Sequence, residues 1–119
     1  MTEYSREALM GEIDEEVRKT ALVVLSNLVV SSPVDTGRFR GNWQIGIDMP
    51  KTSILNTDDK SGGITISAGA GEIGRVRNID FESIFITNNM PYGETLNNGS
   101  STQAPAGFVE SAIRKGVNR

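Results

Sequence analysis

The triplet Asp35, Thr36 and Gly37 is the first stretch of this sequence whose residue types suggest chemistry. In aspartic proteases, two aspartates from such triplets share a proton and activate water, and the retroviral type is a homodimer of about this length. In those enzymes apolar strand residues precede the triplet and a small residue follows it. Here a Ser-Ser-Pro-Val stretch precedes it and Arg38 follows it. We therefore interpret the triplet as a turn in which Asp35 and Thr36 bond nearby backbone amides, with a homodimeric aspartic protease as the alternative function.

Residues 69–74 match the spacing of the glycine-rich dinucleotide fingerprint. That motif requires a long helix that begins at the glycines, followed about twenty positions later by an acidic residue at the end of a parallel strand. Residues 75–80 leave too little room for such a helix before the next predicted strand. We therefore predict a protruding glycine loop or a short helix over residues 69–80, and no bound cofactor.

The residue types that most often carry catalysis and metal binding are missing from the chain. Its 119 residues include no cysteine and no histidine, which excludes disulfides, thiolate zinc sites, cysteine nucleophiles and imidazole bases. We expect no metal site and no enzymatic activity. The acidic N-terminal stretch is unlike a secretory signal, and no apolar run is long enough to span a membrane. We therefore expect a protein made and used in a cytoplasm-like compartment, without membrane contact.

A long amphipathic helix is predicted from about residue 5 to residue 31. Apolar residues recur there at spacings of three and four, which is the pattern of one helix face. They are Leu9, Ile13, Val17, Ala21, Val24, Leu25 and Leu28. The second half is apolar nearly all round, so we expect it to be covered on more than one side. Because Pro33 biases Ser32 away from helical geometry, the helix must end at this point.

Three segments with alternating apolar residues predict strands. The first contains Trp43, Ile45 and Ile47, the second spans residues 64–68, and the third spans residues 81–88. A polar, glycine-bearing turn at residues 56–63 separates the first two, so we predict that they form an antiparallel hairpin.

A loop and a short helix are predicted for the end of the chain. Residues 91–105 are rich in Asn, Gly, Ser and Thr, which is typical of an exposed loop. Pro105 suits a helix start, and Val109, Ala112 and Ile113 share a face in the following residues. The order of elements predicts a single α+β domain over residues 1–119, with a long N-terminal and a short C-terminal helix packed on an antiparallel sheet of three to four strands.

Three blocks of specified residues follow one another along the chain. Residues 33–43 read PVDTGRFRGNW, residues 86–100 read ITNNMPYGETLNNGS, and residues 103–108 read QAPAGF. In these blocks and in their order, the chain resembles the bacteriophage tail-completion and neck proteins of the HK97 gp10-like group, which are tail-terminator-like minor tail proteins. The resemblance spans roughly residues 5–115, and three ordered blocks are more specific than one short motif.

The resemblance implies a structural protein of the virion tail or neck, assembled in the host cytoplasm. Proteins of this kind form closed homo-oligomeric rings, commonly hexamers. The ring terminates or completes the tail tube and joins it to head connector or adaptor proteins, while DNA passes through the lumen without sequence-specific contact. The resemblance also implies that residues of the three blocks contact other subunits or partners, with Trp43 and Tyr92 as packing anchors and Arg38 and Arg40 as polar contacts. The full set is Pro33, Asp35, Thr36, Gly37, Arg38, Arg40, Trp43, Asn88, Pro91, Tyr92, Leu96, Gly99, Ser100, Gln103, Pro105 and Gly107.

The charge of the chain is compatible with such a role. A net charge of −3 argues against a broad basic face for nucleic acid, and a lumen that is not strongly basic would let the phosphate backbone pass. Two arginine pairs, Arg38 with Arg40 and Arg75 with Arg77, lie in otherwise neutral loops. They suggest ordinary surface charge, salt bridges to a neighbouring subunit, or phosphate contacts.

Overall fold

The computed structural model describes residues 6–76, 81–100 and 106–118. Helix α1 spans Arg6–Ser31, strand β1 spans Trp43–Ile47, helix α2 spans Gly63–Gly74 and strand β2 spans Ile84–Asn88. A short helical turn at Arg40–Asn42 precedes β1. Helix α3, a single turn at Gly93–Thr95, continues into a wider turn at Leu96–Ser100, and helix α4 spans Phe108–Val117. The chain thus mixes helices with an antiparallel sheet, as predicted.

Helix α1 is the central element of the fold, and its predicted extent is confirmed from residue 6 onward. Among its described side chains, the buried ones begin at Ala21 and continue through Val29. Helix α4 packs along one side of α1, where a β-carbon on Gly116 would lie only 2.5 Å from Val24, and α2 packs along another side. The second half of α1 is therefore covered on more than one side, as its sequence predicts.

The sheet has two antiparallel strands in the described residues. Ile45 pairs with Ile86 and Ile47 pairs with Ile84, so the apolar residues of both strands share the face that meets the helices. The segment after β1 covers the opposite face, where Gln44 Nε2 donates a hydrogen bond to the Ser53 carbonyl at 2.7 Å. The sheet is thus a single layer between helices and an extended segment.

The prediction of a strand at residues 64–68 and of a hairpin with β1 is wrong. These residues lie in α2, and β1 pairs with β2 instead. The buried residues of α2 are Thr65, Gly69 and Ile73, and this spacing of four is that of a helix face. A five-residue alternation is too short to distinguish a strand from a helix. The described residues therefore form two strands rather than three or four.

Aromatic side chains join the last helix to the rest of the core. The Phe39 ring centroid lies 5.9 Å from those of Trp43 and Tyr92 and 6.3 Å from that of Phe108. Helix α4 begins at Phe108, whereas Pro105, its predicted start, lies outside the described residues. None of the helices in the described part of the chain has the length and apolar content needed to cross a bilayer.

Candidate subunit interface

The turn at residues 33–37 has the backbone geometry that its sequence predicts. Gly37 adopts a φ of 84° and Asp35 a φ of 26°, and the Gly37 N–H donates to the Val34 carbonyl at 2.5 Å. A β-carbon on Gly37 would lie 2.6 Å from the Asp59 backbone nitrogen, so only glycine fits there. The Asp35 and Thr36 side chains are exposed on the outside of this turn.

Arg40 closes the C-terminal end of α1. Its guanidinium donates to the carbonyls of Val30 at 3.0 Å and Ser32 at 2.8 Å, and to that of Lys60 at 2.6 Å. The last carbonyls of a helix have no partner within the helix, so Arg40 satisfies groups that would otherwise need water. This arginine, predicted as a polar contact between subunits, therefore has a structural role inside its own chain.

Arg38 forms an ion pair within the chain. Its Nε lies 2.6 Å from Asp58 Oδ1, and the two side chains are 36% and 53% exposed. The hydrogen bond from Arg38 lowers the pKa of the Asp58 carboxyl and the same bond raises the pKa of Arg38. Because the pair is exposed, we expect its contribution to stability to be small.

Two further residues of the first block fix its position in the core. The fully buried Asn42 donates to the Leu55 carbonyl at 3.1 Å and accepts the Leu55 N–H at 2.7 Å. Trp43, which is 8% exposed, donates its indole N–H to Ser32 Oγ at 2.8 Å. Trp43 is therefore a packing anchor of the subunit itself.

Asp59 is an organising residue that the sequence interpretation missed. It is 3% exposed, and its carboxylate accepts the Gly62 N–H at 3.0 Å and both the N–H and the hydroxyl of Thr65 at 2.8 Å. Burial alone raises the pKa of this carboxyl, yet the hydrogen bonds, first those from Thr65, hold the pKa below its ordinary value. Asp59 thus caps the start of α2. The sequence signal for this cap was an aspartate shortly before Ser61, Gly62 and Gly63. From the sequence alone, we interpret these residues only as a turn.

The second block contacts the first block through Asn88 and Tyr92. Asn88 Nδ2 donates to the Phe39 carbonyl at 2.9 Å, and its Oδ1 accepts the Met90 N–H at 3.2 Å. Pro91 is exposed, and Tyr92 is 40% exposed although its ring contacts Phe39. Leu96 packs against the core. The block therefore leaves Pro91 and one side of Tyr92 available on the surface.

The third block is attached through Asn97, whose backbone carbonyl accepts the Gly107 N–H at 2.7 Å. The Asn97 side chain donates to the Glu110 carboxylate at 2.9 Å and accepts the Val109 N–H at 3.0 Å, and the first of these bonds lowers the pKa of Glu110. Gly99 and Gly107 adopt φ values of 92° and 76°, which other residues rarely adopt. Ser100 ends the wider helical turn, while Gln103 and Pro105 lie outside the described residues.

The structure thus brings the first two blocks into contact through Phe39, and the third joins them through Phe108. The hydrogen bonds of Arg38, Arg40 and Trp43 are made within the chain. A role for these residues in contacts between subunits stays a prediction.

The glycine-rich stretch at residues 69–74 forms the end of α2. A phosphate-binding loop requires such glycines ahead of a helix, and here they lie inside one. Arg75 pairs with Glu72 at 3.1 Å, and Arg77 lies outside the described residues. Within those residues, no group of three acidic side chains is arranged to hold a metal ion.

An apolar groove between α1 and β2 is the surface feature that the sequence did not reveal. Its volume is about 310 Å³. The lining residues are Val17, Thr20, Ala21, Val24, Ile84 and Ile86, with Glu16 at the rim. Val17 is 40% exposed. Because Ile84 and Ile86 are distant in sequence from α1, only the folded chain assembles this α1–β2 groove.

Comparisons of the chain with models of protein families, with curated proteins and with solved structures found no match.

Proposed function

We propose that the chain is a structural subunit of a phage head–tail neck. Copies of it assemble into a ring, commonly sixfold, that terminates or completes the tail tube and joins it to the head connector. DNA passes through the lumen of this ring. The proposal has two supports, namely the resemblance of the three ordered blocks and the surface of the folded subunit.

The α1–β2 groove is the observation that carries the proposal. Apolar surface in water is unfavourable by roughly 25 cal/mol per Å², so a partner that covers the apolar side chains of the groove would gain stability. Large apolar side chains are exposed elsewhere as well, including Ile113 at 42% and Val117 at 59%. A subunit that assembles with copies of itself would remove such surface from water.

The function proposed is geometric rather than catalytic. Head-to-tail contacts between identical subunits generate a closed ring when the rotation between neighbours closes. One face of the ring then stops the growing tail tube and the other meets the head connector. The first block is held in place by its hydrogen bonds, and Tyr92 is partly exposed. Both features suit this role, because an interface is most specific when its residues are held rigidly before contact.

Mass determination and negative-stain imaging of the purified protein, with and without tail tubes, test this proposal. We expect a closed ring of constant size, formed alone or on the end of a tube. A protein that keeps the mass of a single chain at high concentration, and that leaves tube ends bare, would overturn the proposal.

A further inference from the structure

The outward side of α4 offers a partner for the α1–β2 groove. Ile113 and Val117, one helical turn apart, are 42% and 59% exposed, whereas Phe108, Ala112 and Gly116 are buried. We propose that this side of α4, in one subunit, docks into the α1–β2 groove of the next subunit. The inference rests on the proposed function and names the contact that would build the ring.

The two surfaces have complementary sizes and chemistry. An apolar cavity of about 150 Å³ holds a benzene ring, so a groove of about 310 Å³ has room for the two aliphatic side chains of α4. Two valines of α1 and two isoleucines of β2 are among the residues that line the groove. Ile113 and Val117 would therefore replace water with close aliphatic contacts.

The charges around the two surfaces have opposite signs. Arg114 and Lys115 lie exposed in α4 beside Ile113, and Glu16 lies at the groove rim. Opposite charges steer the correct ends together and disfavour contacts between like ends. This argues for a second copy of the chain as the occupant.

The contact is head-to-tail, because the groove and the α4 surface are different parts of the same subunit. Each subunit would use its groove toward one neighbour and its α4 surface toward the other. Such a contact is heterologous, so it extends from copy to copy until the ring closes.

Single substitutions on each surface test the contact. Val17→Glu places a charge in the groove, and Ile113→Glu places one on α4. Both residues are partly exposed and glutamate is a good helix former, so we expect both variants to fold, which circular dichroism checks. Each variant alone should keep the mass of one chain under conditions in which the unmodified protein forms rings.

Mixing the two variants tests the direction of the contact. The Val17→Glu copy keeps an intact α4 surface and the Ile113→Glu copy keeps an intact groove. An equimolar mixture should therefore form pairs with twice the mass of the chain and proceed no further. A mixture that stays as single copies would overturn the head-to-tail contact.

Val30→Glu and Ile64→Glu are the matched controls. Val30 lies on α1 and is 61% exposed, Ile64 lies on α2 and is 64% exposed, and neither lines the α1–β2 groove. Both controls should form rings like the unmodified protein. If Val17→Glu and Ile113→Glu also form rings, this inference fails and the proposed function stands. If the unmodified protein never assembles, even with tail tubes, the proposed function itself fails.

Discussion

At the residue scale, Trp43 links two parts of the core through one side chain. Its ring packs at the edge of Phe39 and its N–H donates to Ser32 Oγ, which in turn donates to the Leu28 carbonyl at 2.6 Å. We expect Trp43→Ala to lower the free energy of unfolding by about 3–5 kcal/mol, because it removes a large buried ring. Urea titration followed by circular dichroism measures this change.

The conservative variant separates packing from hydrogen bonding at this position. Trp43→Phe keeps most of the ring but leaves the Ser32 hydroxyl oxygen without its donor. We expect a loss of about 1–3 kcal/mol, clearly smaller than for Trp43→Ala. Equal losses in the two variants would mean that the N–H to Ser32 bond, rather than the ring, dominates.

The buried carboxylate of Asp59 makes stability depend on pH. Its pKa is lower in the folded chain than its ordinary value, so its contribution is fully present above the unfolded pKa of about 3.9 and is lost as the pH falls through the folded pKa. We expect Asp59→Asn to cost about 1–2 kcal/mol near neutral pH, as lost caps do, and to flatten the acid loss of stability. Thermal melts between pH 7 and pH 2 measure both effects.

Asp58→Asn is the neighbouring control for Asp59→Asn. The Asp58 carboxylate is exposed and pairs with Arg38 at the surface, where ion pairs contribute little. Its variant should melt close to the unmodified protein near pH 7. If Asp58→Asn lowers stability as much as Asp59→Asn does, the capping role of Asp59 is wrong.

At the element scale, the packing of helix α2 requires a glycine at position 69 but not at position 71. A β-carbon on Gly69 would overlap Leu25 and approach Ile45 at 3.2 Å, whereas one on Gly71 would meet nothing within 4 Å. Alanine raises helix propensity by up to about 1 kcal/mol over glycine. We therefore expect Gly71→Ala to stabilise the protein by roughly 0.5–1 kcal/mol and Gly69→Ala to destabilise it. Urea midpoints that move in the same direction for both variants would contradict this packing.

These glycines also explain why the sequence predicted α1 and β1 but not α2. The apolar pattern of α1 extends over many turns, so its period was unambiguous. In α2 the glycines at 63, 69, 71 and 74 argue locally against a helix, and the alternation at residues 64–68 favours a strand. Burial of Gly69 against Leu25 overrides this preference, since only glycine lets the two helices approach so closely. That contact joins distant segments and is not visible in a local pattern.

The site was predictable to a similar degree and for a similar reason. The positive φ of Gly37 and the burial of Trp43 follow from turn chemistry and residue type. The partners of Arg38 and Arg40 could not be predicted in this way, because they lie in residues 56–60 and at the end of α1. The α1–β2 groove depends on the same kind of distant pairing.

At the scale of the whole molecule, the chain combines a small core with much exposed apolar surface. Its sequence is 37% hydrophobic and contains 13 glycines, which leaves little apolar area to bury within one subunit. The first block uses its polar residues to hold residues 55–60 in place. Assembly through the α1–β2 groove would add the apolar burial that the isolated subunit lacks.

Arg38 connects the stability of the subunit to the assembly proposed for it. Within the chain Arg38 contacts both Asp58 and Asn56. If Arg38 serves only these contacts, then neither Arg38→Ala nor Asp58→Ala should change ring formation. If Arg38 also contacts a neighbouring subunit, both variants should stay close to the unmodified stability, because the pair is exposed, while Arg38→Ala alone reduces ring formation. We expect the second outcome, measured by urea titration together with the mass of the assembled protein. Rings that form equally well from Arg38→Ala would leave that residue with contacts inside its own chain alone.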